Sequence, residues 1–430
     1  MVDQEQVFVK CAWRLIPFMM LLYFTNYLDR VNVGFAALTM NQDLGFSPSV
    51  YGFAAGIFFV SYAMFQIPAN VLLERIGARR TVFTIMAIWG AVSASTALVR
   101  EPAVFYVLRF LLGVAEAGFF PGMILYLTFW FPREYRARFT AIFMLAIPLS
   151  AILGGPISGF ILGMDGVAGL RGWQWLFLIE GAPACLLGIF AVRKYLPDGP
   201  GTAAFLSEAE RQTIAARLAA ERTSAPGKLW PGLYDPRVLL LGLAGTGIGS
   251  AIFGSQLWLP QMVKALGHSN LTTGFIVALP YLVAMPTVLL VGRSSDRRGE
   301  RIWHTAIPLL VAATGFAVAA IAHNQVIVVA GLTAVIAGTI GTYGPYYSLS
   351  SSFFSGPAAP GAIALVNLMC TGLGGFLGPN IVGLLKQGTG GYAAGMFALA
   401  AGLVGSVIIL LVLGRVMAAR AVRASLVAAA

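Results

Sequence analysis

Charge is what this chain of 430 residues has least of: Asp, Glu, Lys and Arg together make up 10%, against 58% hydrophobic residues, and the mean hydropathy is +0.81. A water-soluble domain carries about 25% charged residues, so that class is excluded. Cysteine is scarce too. Cys11, Cys185 and Cys370 are scattered, which excludes a disulfide framework and a thiolate metal cluster. The three histidines, His268, His304 and His323, have no metal-ligand spacing, and no nucleophile and base are arranged for covalent chemistry. No metal, cofactor or enzyme activity is expected. No cleavable leader is expected either, since the first apolar segment carries polar residues through its middle and no small-residue cleavage site follows a short apolar run.

What is present is a series of apolar stretches of about 20 residues, each long enough to cross a hydrocarbon core roughly 30 Å thick. Twelve occur between residues 14 and 414, predicting an all-α, multi-pass membrane protein. The net charge of +11 follows a topological pattern. Of the 28 Lys and Arg residues, Arg100, Arg171, Lys264 and Lys386 fall on one side and Arg30 and Arg109 lie within spans, while the rest occupy alternate connections and the two tails. That bias predicts both termini on the cytoplasmic side and makes nucleic acid a poor partner; a bacterial inner membrane is the expected location.

One loop occurs twice. Glu74, Arg75, Gly77 and Arg79 between segments 2 and 3 match Asp296, Arg297, Gly299 and Arg301 between segments 8 and 9 at one constant offset. A constant offset at equivalent places points to duplicated halves, a transporter design with its site near the midplane between the repeats. The expected domains are a six-helix bundle over 1–195, a cytoplasmic linker over 196–236 and a second six-helix bundle over 237–430. The linker carries Ser207-Glu-Ala-Glu210, a capping box that starts a short helix. The acid-Arg-x-Gly-x-Arg loops resemble the loop signature of the major facilitator superfamily. That resemblance implies the major facilitator fold, two pseudo-symmetric bundles of six helices, and a gating role for the loops. Asn70 and Glu74 depart from the usual Gly and Asp of the first copy.

Charges inside a bilayer are costly and default to substrate, ion or proton pathways. On segment 1, Tyr23, Asn26, Tyr27 and Arg30 share one helical face, and Arg30 offers a planar fork to a carboxylate. Asp29 is rotated about a third of a turn away. On segment 4, Arg109 and Glu116 lie on one face about 10 Å apart along the axis, too far to bond each other, so Asp29 is the expected partner of Arg109 and Glu116 is expected to be free for protonation. The bland alternative is that these charges pair with neighbouring helices and only hold the bundle together.

The stretches Asn26–Gly34 and Arg109–Gly122 resemble the anion:cation symporter branch of that superfamily, and the likeness covers essentially the whole chain. It implies that Asp29 and Glu116 take up protons, that Arg109 links them to substrate, and that Arg30 binds the substrate carboxylate. It also matches Tyr62 and Asn367 to ligand-contacting residues; Gln66 lies one turn from Tyr62 on the same face. Thr371 and the pair Tyr346-Tyr347 differ from the usual residues of the second half. Tyr347 and Asn367 are expected either at the ligand or in interface packing, and the buried acid Glu180 in a structural hydrogen bond.

Together these readings predict a proton-coupled symporter of a small organic anion, tartrate- or sugar-acid-like, working as a monomer by alternating access. Aromatic carboxylates of the hydroxyphenylacetate or phthalate type are the runner-up substrates. A transporter-like membrane sensor is the alternative from another class.

Overall fold

The computed structural model describes residues 4–220, 235–353 and 359–429, with no β-strand among them. Twelve of its helices are long and apolar enough to span a membrane. Six precede the linker: α1 (Gln4–Asp43), α2 (Pro48–Ile76), α3 (Ala78–Leu98), α4 (Pro102–Trp130), α5 (Arg133–Leu162) and α6 (Gly172–Val192). The linker contributes α7 (Glu208–Ala219). Six more follow: α8 (Pro236–Lys264), α9 (Asn270–Arg298), α10 (Ile302–Ile321), α11 (Gln325–Leu349), α12 (Gly361–Thr389) and α13 (Ala393–Met417).

Helix α1 begins well before the apolar run. Val7, Phe8, Cys11, Ala12 and Leu15 are buried at helical spacing, and the Phe8 ring lies 4.9 Å from that of Tyr135, so packing extends the helix beyond the hydropathy signal. Helix α4 is broken into Pro102–Glu116 and Phe119–Trp130. Pro121 lacks the N–H that would bond back to Ala117, which favours an interruption there. Gly118 lets α2 and α3 close on the break: a Cβ there would stand 2.5 Å from Ala69 Cβ. Glu116 is thus the last residue of a helical segment.

By packing, the chain divides into two compact units, residues 1–40 with 61–225 and residues 41–60 with 226–430. The first half of α2 therefore belongs with the second unit, although it lies among the first six spans in sequence. Close approach explains this. A Cβ on Gly56 would stand 2.4 Å from Asn380 Nδ2 of α12, and one on Gly383 2.5 Å from the Pro48 carbonyl oxygen. Tyr51 donates to the Leu257 carbonyl at 2.7 Å, and Phe59 packs on Phe253 with ring centres 4.3 Å apart.

The capping box at Ser207 is formed: its N–H donates to Glu210 Oε2 at 2.7 Å and Glu210 N–H returns to Ser207 Oγ at 3.3 Å. Lys10 Nζ reaches Glu210 at 2.8 Å and Arg217 pairs with Glu134 at 3.0 Å, so α7 is tethered within the first unit. The last part of the linker, 221–234, lies outside the described residues.

In the repeated loops both glycines take left-handed backbone, Gly77 at φ +89° and Gly299 at φ +64°, which favours the residue without a Cβ. The partners of the two loops differ. Arg301 Nη1 reaches Asp296 Oδ1 at 2.6 Å; in the first loop the Arg79 N–H donates to Asp198 of the linker at 2.8 Å. Glu74, Arg75 and Arg297 are exposed.

Candidate functional site

The polar face of α1 meets α4 at the helix break. Arg30 Nη2 donates to Glu116 Oε2 at 2.9 Å and Arg30 Nε to the same oxygen at 3.3 Å. Asn26 Nδ2 donates to it as well, at 2.9 Å. Glu116 is fully buried and Arg30 only 8% exposed. This arrangement differs from the expectation that Glu116 would be free: its carboxylate is engaged by Arg30 and Asn26. The reason is the break after Glu116, which sequence spacing along an ideal helix does not register.

Aromatic rings complete the surroundings. The Arg30 guanidinium lies 4.8 Å from the centre of the Tyr62 ring, a cation–π geometry. Tyr23 stacks on Phe143 and Phe120 at 4.9 and 5.5 Å and meets Tyr27 edge-on at 6.5 Å. Gln66 is half-buried on α2 one turn beyond Tyr62.

Asp29 points to the other side of α1. Its carboxylate accepts hydrogen bonds from Asn32 Nδ2 at 2.8 Å, Trp89 Nε1 at 2.5 Å and Ser93 Oγ. Arg109, 1% exposed, is close enough for its charge to act on both Asp29 and Glu116. Trp89 and Ser93 were missed by sequence reasoning. The available signal was an indole N–H and a hydroxyl one turn apart on α3. Glu180 accepts from Ser158 Oγ at 2.7 Å, the structural hydrogen bond expected of it.

In the second unit, Tyr347 OH and Thr371 Oγ1 both donate to Asn367 Oδ1 at 3.3 Å. Asn367 immediately precedes a π-helical stretch, Leu368–Gly374, and such widened turns are frequent at functional sites. Tyr346 has a packing role: it is 1% exposed and donates to the Leu241 carbonyl at 2.9 Å. The neighbouring glycines serve a helix crossing. A Cβ on Gly249 of α8 would fall 1.9 Å from the Cys370 carbonyl oxygen of α12.

The site so built is an ion pair with a second carboxylate, all at the depth of membrane helices. The Major Facilitator Superfamily sequence profile matches residues 19–379. The chain belongs to that superfamily. Over 416 residues it is 48% identical to a protein of Agrobacterium vitis provisionally named a tartrate transporter, covering 96% of this chain and 95% of that one. It is 38% identical over 409 residues to the inner membrane transport protein RhmT of Escherichia coli, covering 94% and 95%. The crystal structure of a bacterial homologue of the human lysosomal transporter Spinster superposes with a TM-score of 0.78 at 16% identity, covering 96% of this chain and 97% of that one. The last comparison establishes the fold alone. As a member of the Major Facilitator Superfamily this protein is a multi-pass membrane transporter and not an enzyme.

Proposed function

We propose that the protein is a proton-coupled symporter importing a small hydroxylated carboxylate of the tartrate or sugar-acid kind. The observation that carries this reading is the buried Arg30–Glu116 pair at 2.9 Å. A substrate carboxylate reaches the Arg30 fork only by displacing Glu116, and protonated Glu116 gives up the charge that holds it there. Anion and proton therefore arrive together. Asp29, 0% exposed, is the second proton site, and Arg109 carries the electrostatic link between the two acids.

The class of anion follows from the hydrogen-bonding groups assigned to it: Asn26, Tyr27, Tyr62 and Gln66 in the first unit, Tyr347 and Asn367 in the second. The name of the Agrobacterium vitis relative agrees with this class. The Tyr23–Phe120–Phe143 stack beside the pair favours aromatic carboxylates as a second reading.

In this scheme the site opens alternately to the two sides of a bacterial inner membrane, with both termini cytoplasmic and one chain sufficient. The loops at Glu74, Arg75, Gly77 and Arg79 and at Asp296, Arg297, Gly299 and Arg301 act as latches that make and break ion pairs. The test is uptake of labelled tartrate into proteoliposomes containing this protein alone, with and without an inward proton gradient. Gradient-driven accumulation that is lost in Glu116→Gln supports symport. Equal accumulation by the variant refutes the coupling scheme, and no uptake of any carboxylate points to a sensor.

A further inference from the structure

Both oxygens of the Asp29 carboxylate are engaged by α3. Oδ2 accepts from the Trp89 indole at 2.5 Å, while Oδ1 accepts from Ser93 Oγ and, on α1 itself, from Asn32 Nδ2 at 2.8 Å. The donors are chemically unequal. An indole N–H only donates, whereas a hydroxyl donates or accepts. A proton on Oδ2 would meet no acceptor in Trp89 and would leave the indole N–H only the weaker hydroxyl oxygen, so Trp89 favours keeping that oxygen unprotonated. A proton on Oδ1 finds an acceptor, because Ser93 can turn from donor to acceptor; the Asn32 amide then donates to the weaker hydroxyl oxygen of the acid.

The hydroxyl hydrogen that Ser93 then turns away has an outlet on its own helix. Thr84, Ser95 and Thr96 of α3 each donate to the carbonyl four residues back, at 2.9, 2.7 and 3.3 Å; for Ser93 that acceptor is the carbonyl of Trp89. Space around it is limited. A Cβ on Gly181 of α6 would lie 3.0 Å from Ser93 Oγ, so a hydroxyl rotation fits where a larger group would not.

We infer that Trp89 and Ser93 are positioning residues that direct the coupling proton to Oδ1 of Asp29, Trp89 by holding Oδ2 as an acceptor and Ser93 by reversing its hydrogen bond. The inference rests on the reading of Asp29 as a proton site. On uptake one O–H bond forms at Oδ1 and Ser93 becomes its acceptor; on release the proton leaves Oδ1 and Ser93 donates again. The other charged groups around Asp29 are Arg109 and Glu116 from α4 and Glu180 from α6, with Arg30 next to it in the sequence of α1. A change confined to Trp89 leaves all four in place.

Trp89→Phe keeps a ring and removes the donor. In proteoliposomes the pH profile of tartrate uptake should move to higher pH by about one unit, because the ionised carboxylate loses a charge-assisted hydrogen bond. Trp89→Phe combined with Asp29→Asn should show no further shift beyond Asp29→Asn alone. A uniformly slower rate with an unmoved profile assigns Trp89 to packing and overturns the inference. If Asp29→Asn itself keeps the profile and accumulation of the native protein, the proton-site reading fails instead.

A second measurement needs neither transport nor a Trp89 variant. Of the eight tryptophans, one indole N–H resonance should move with pH in the native protein and stop moving in Asp29→Asn. If none behaves so, the inference is wrong.

Discussion

Arg30 of α1 and Glu116 at the break of α4 form an ion pair at 2.9 Å whose side chains are 10% and 0% exposed. Removing one partner of a buried pair strands the other charge and costs about 3–5 kcal/mol. Arg30→Ala should therefore lower the melting temperature in detergent markedly and abolish uptake. Glu116→Gln, which keeps an acceptor for Asn26 and Arg30, should cost less stability while losing coupling. Thermal unfolding of the two purified variants checks the order.

Asp29→Asn preserves shape and hydrogen-bonding capacity but not the exchangeable proton. Accumulation driven by a pH gradient should disappear while exchange of labelled for unlabelled substrate survives. Counterflow and gradient-driven uptake measured on the same proteoliposomes separate the two.

Two helix contacts tolerate no side chain. A Cβ at Gly249 would fall 1.9 Å from the Cys370 carbonyl oxygen and one at Gly56 2.4 Å from Asn380 Nδ2. Overpacking of this kind costs about 1–3 kcal/mol. Gly249→Ala should be the more destabilising of the two alanine substitutions in a thermal melt, since its backbone clash is the closer one: at Gly56 the nearest atom belongs to the Asn380 side chain, which can move, and the nearest backbone atom is the Phe376 carbonyl oxygen at 2.8 Å.

Glu210 lies outside the membrane-spanning helices. The Lys10 ammonium that donates to it, helped by the Ser207 N–H, holds its carboxyl below the ordinary glutamate value of 4.5. A group depressed on folding adds stability above its unfolded value, and that stability is lost as pH falls through the folded one. The α7 tether should thus be intact at neutral pH and loosen below about pH 4.5, by no more than ~1 kcal/mol for so exposed a pair. Hydrogen exchange of the α7 amides, corrected for intrinsic rates, should show this acid-dependent opening in the native protein and a constitutively looser helix in Lys10→Ala.

Much of the architecture is written locally. A run of apolar residues long enough to cross a bilayer declares a helix by itself, because lipid offers the backbone no other hydrogen-bonding partner. The capping box at Ser207 is equally local. The partner of Arg30 is not: it depends on where α4 breaks at Ala117–Gly118, a matter of Pro121 and of α2 and α3 closing on Gly118. Trp89 was illegible for the same reason, since a tryptophan in an apolar helix reads as packing until its N–H is found 2.5 Å from a carboxylate. The first half of α2 shows it again, because Gly52 and Gly56 signal a close approach without saying to which helix.

The sequence by itself therefore determined the membrane class, the number of spans, the repeated loops and the buried charges, all of which follow from composition, length and spacing along one chain. Tertiary structure alone decided which charge meets which. Glu116 rather than a free site faces Arg30, and Trp89 and Ser93 face Asp29, because contacts among residues 60 to 90 positions apart are set by helix packing, to which hydropathy and periodicity are blind.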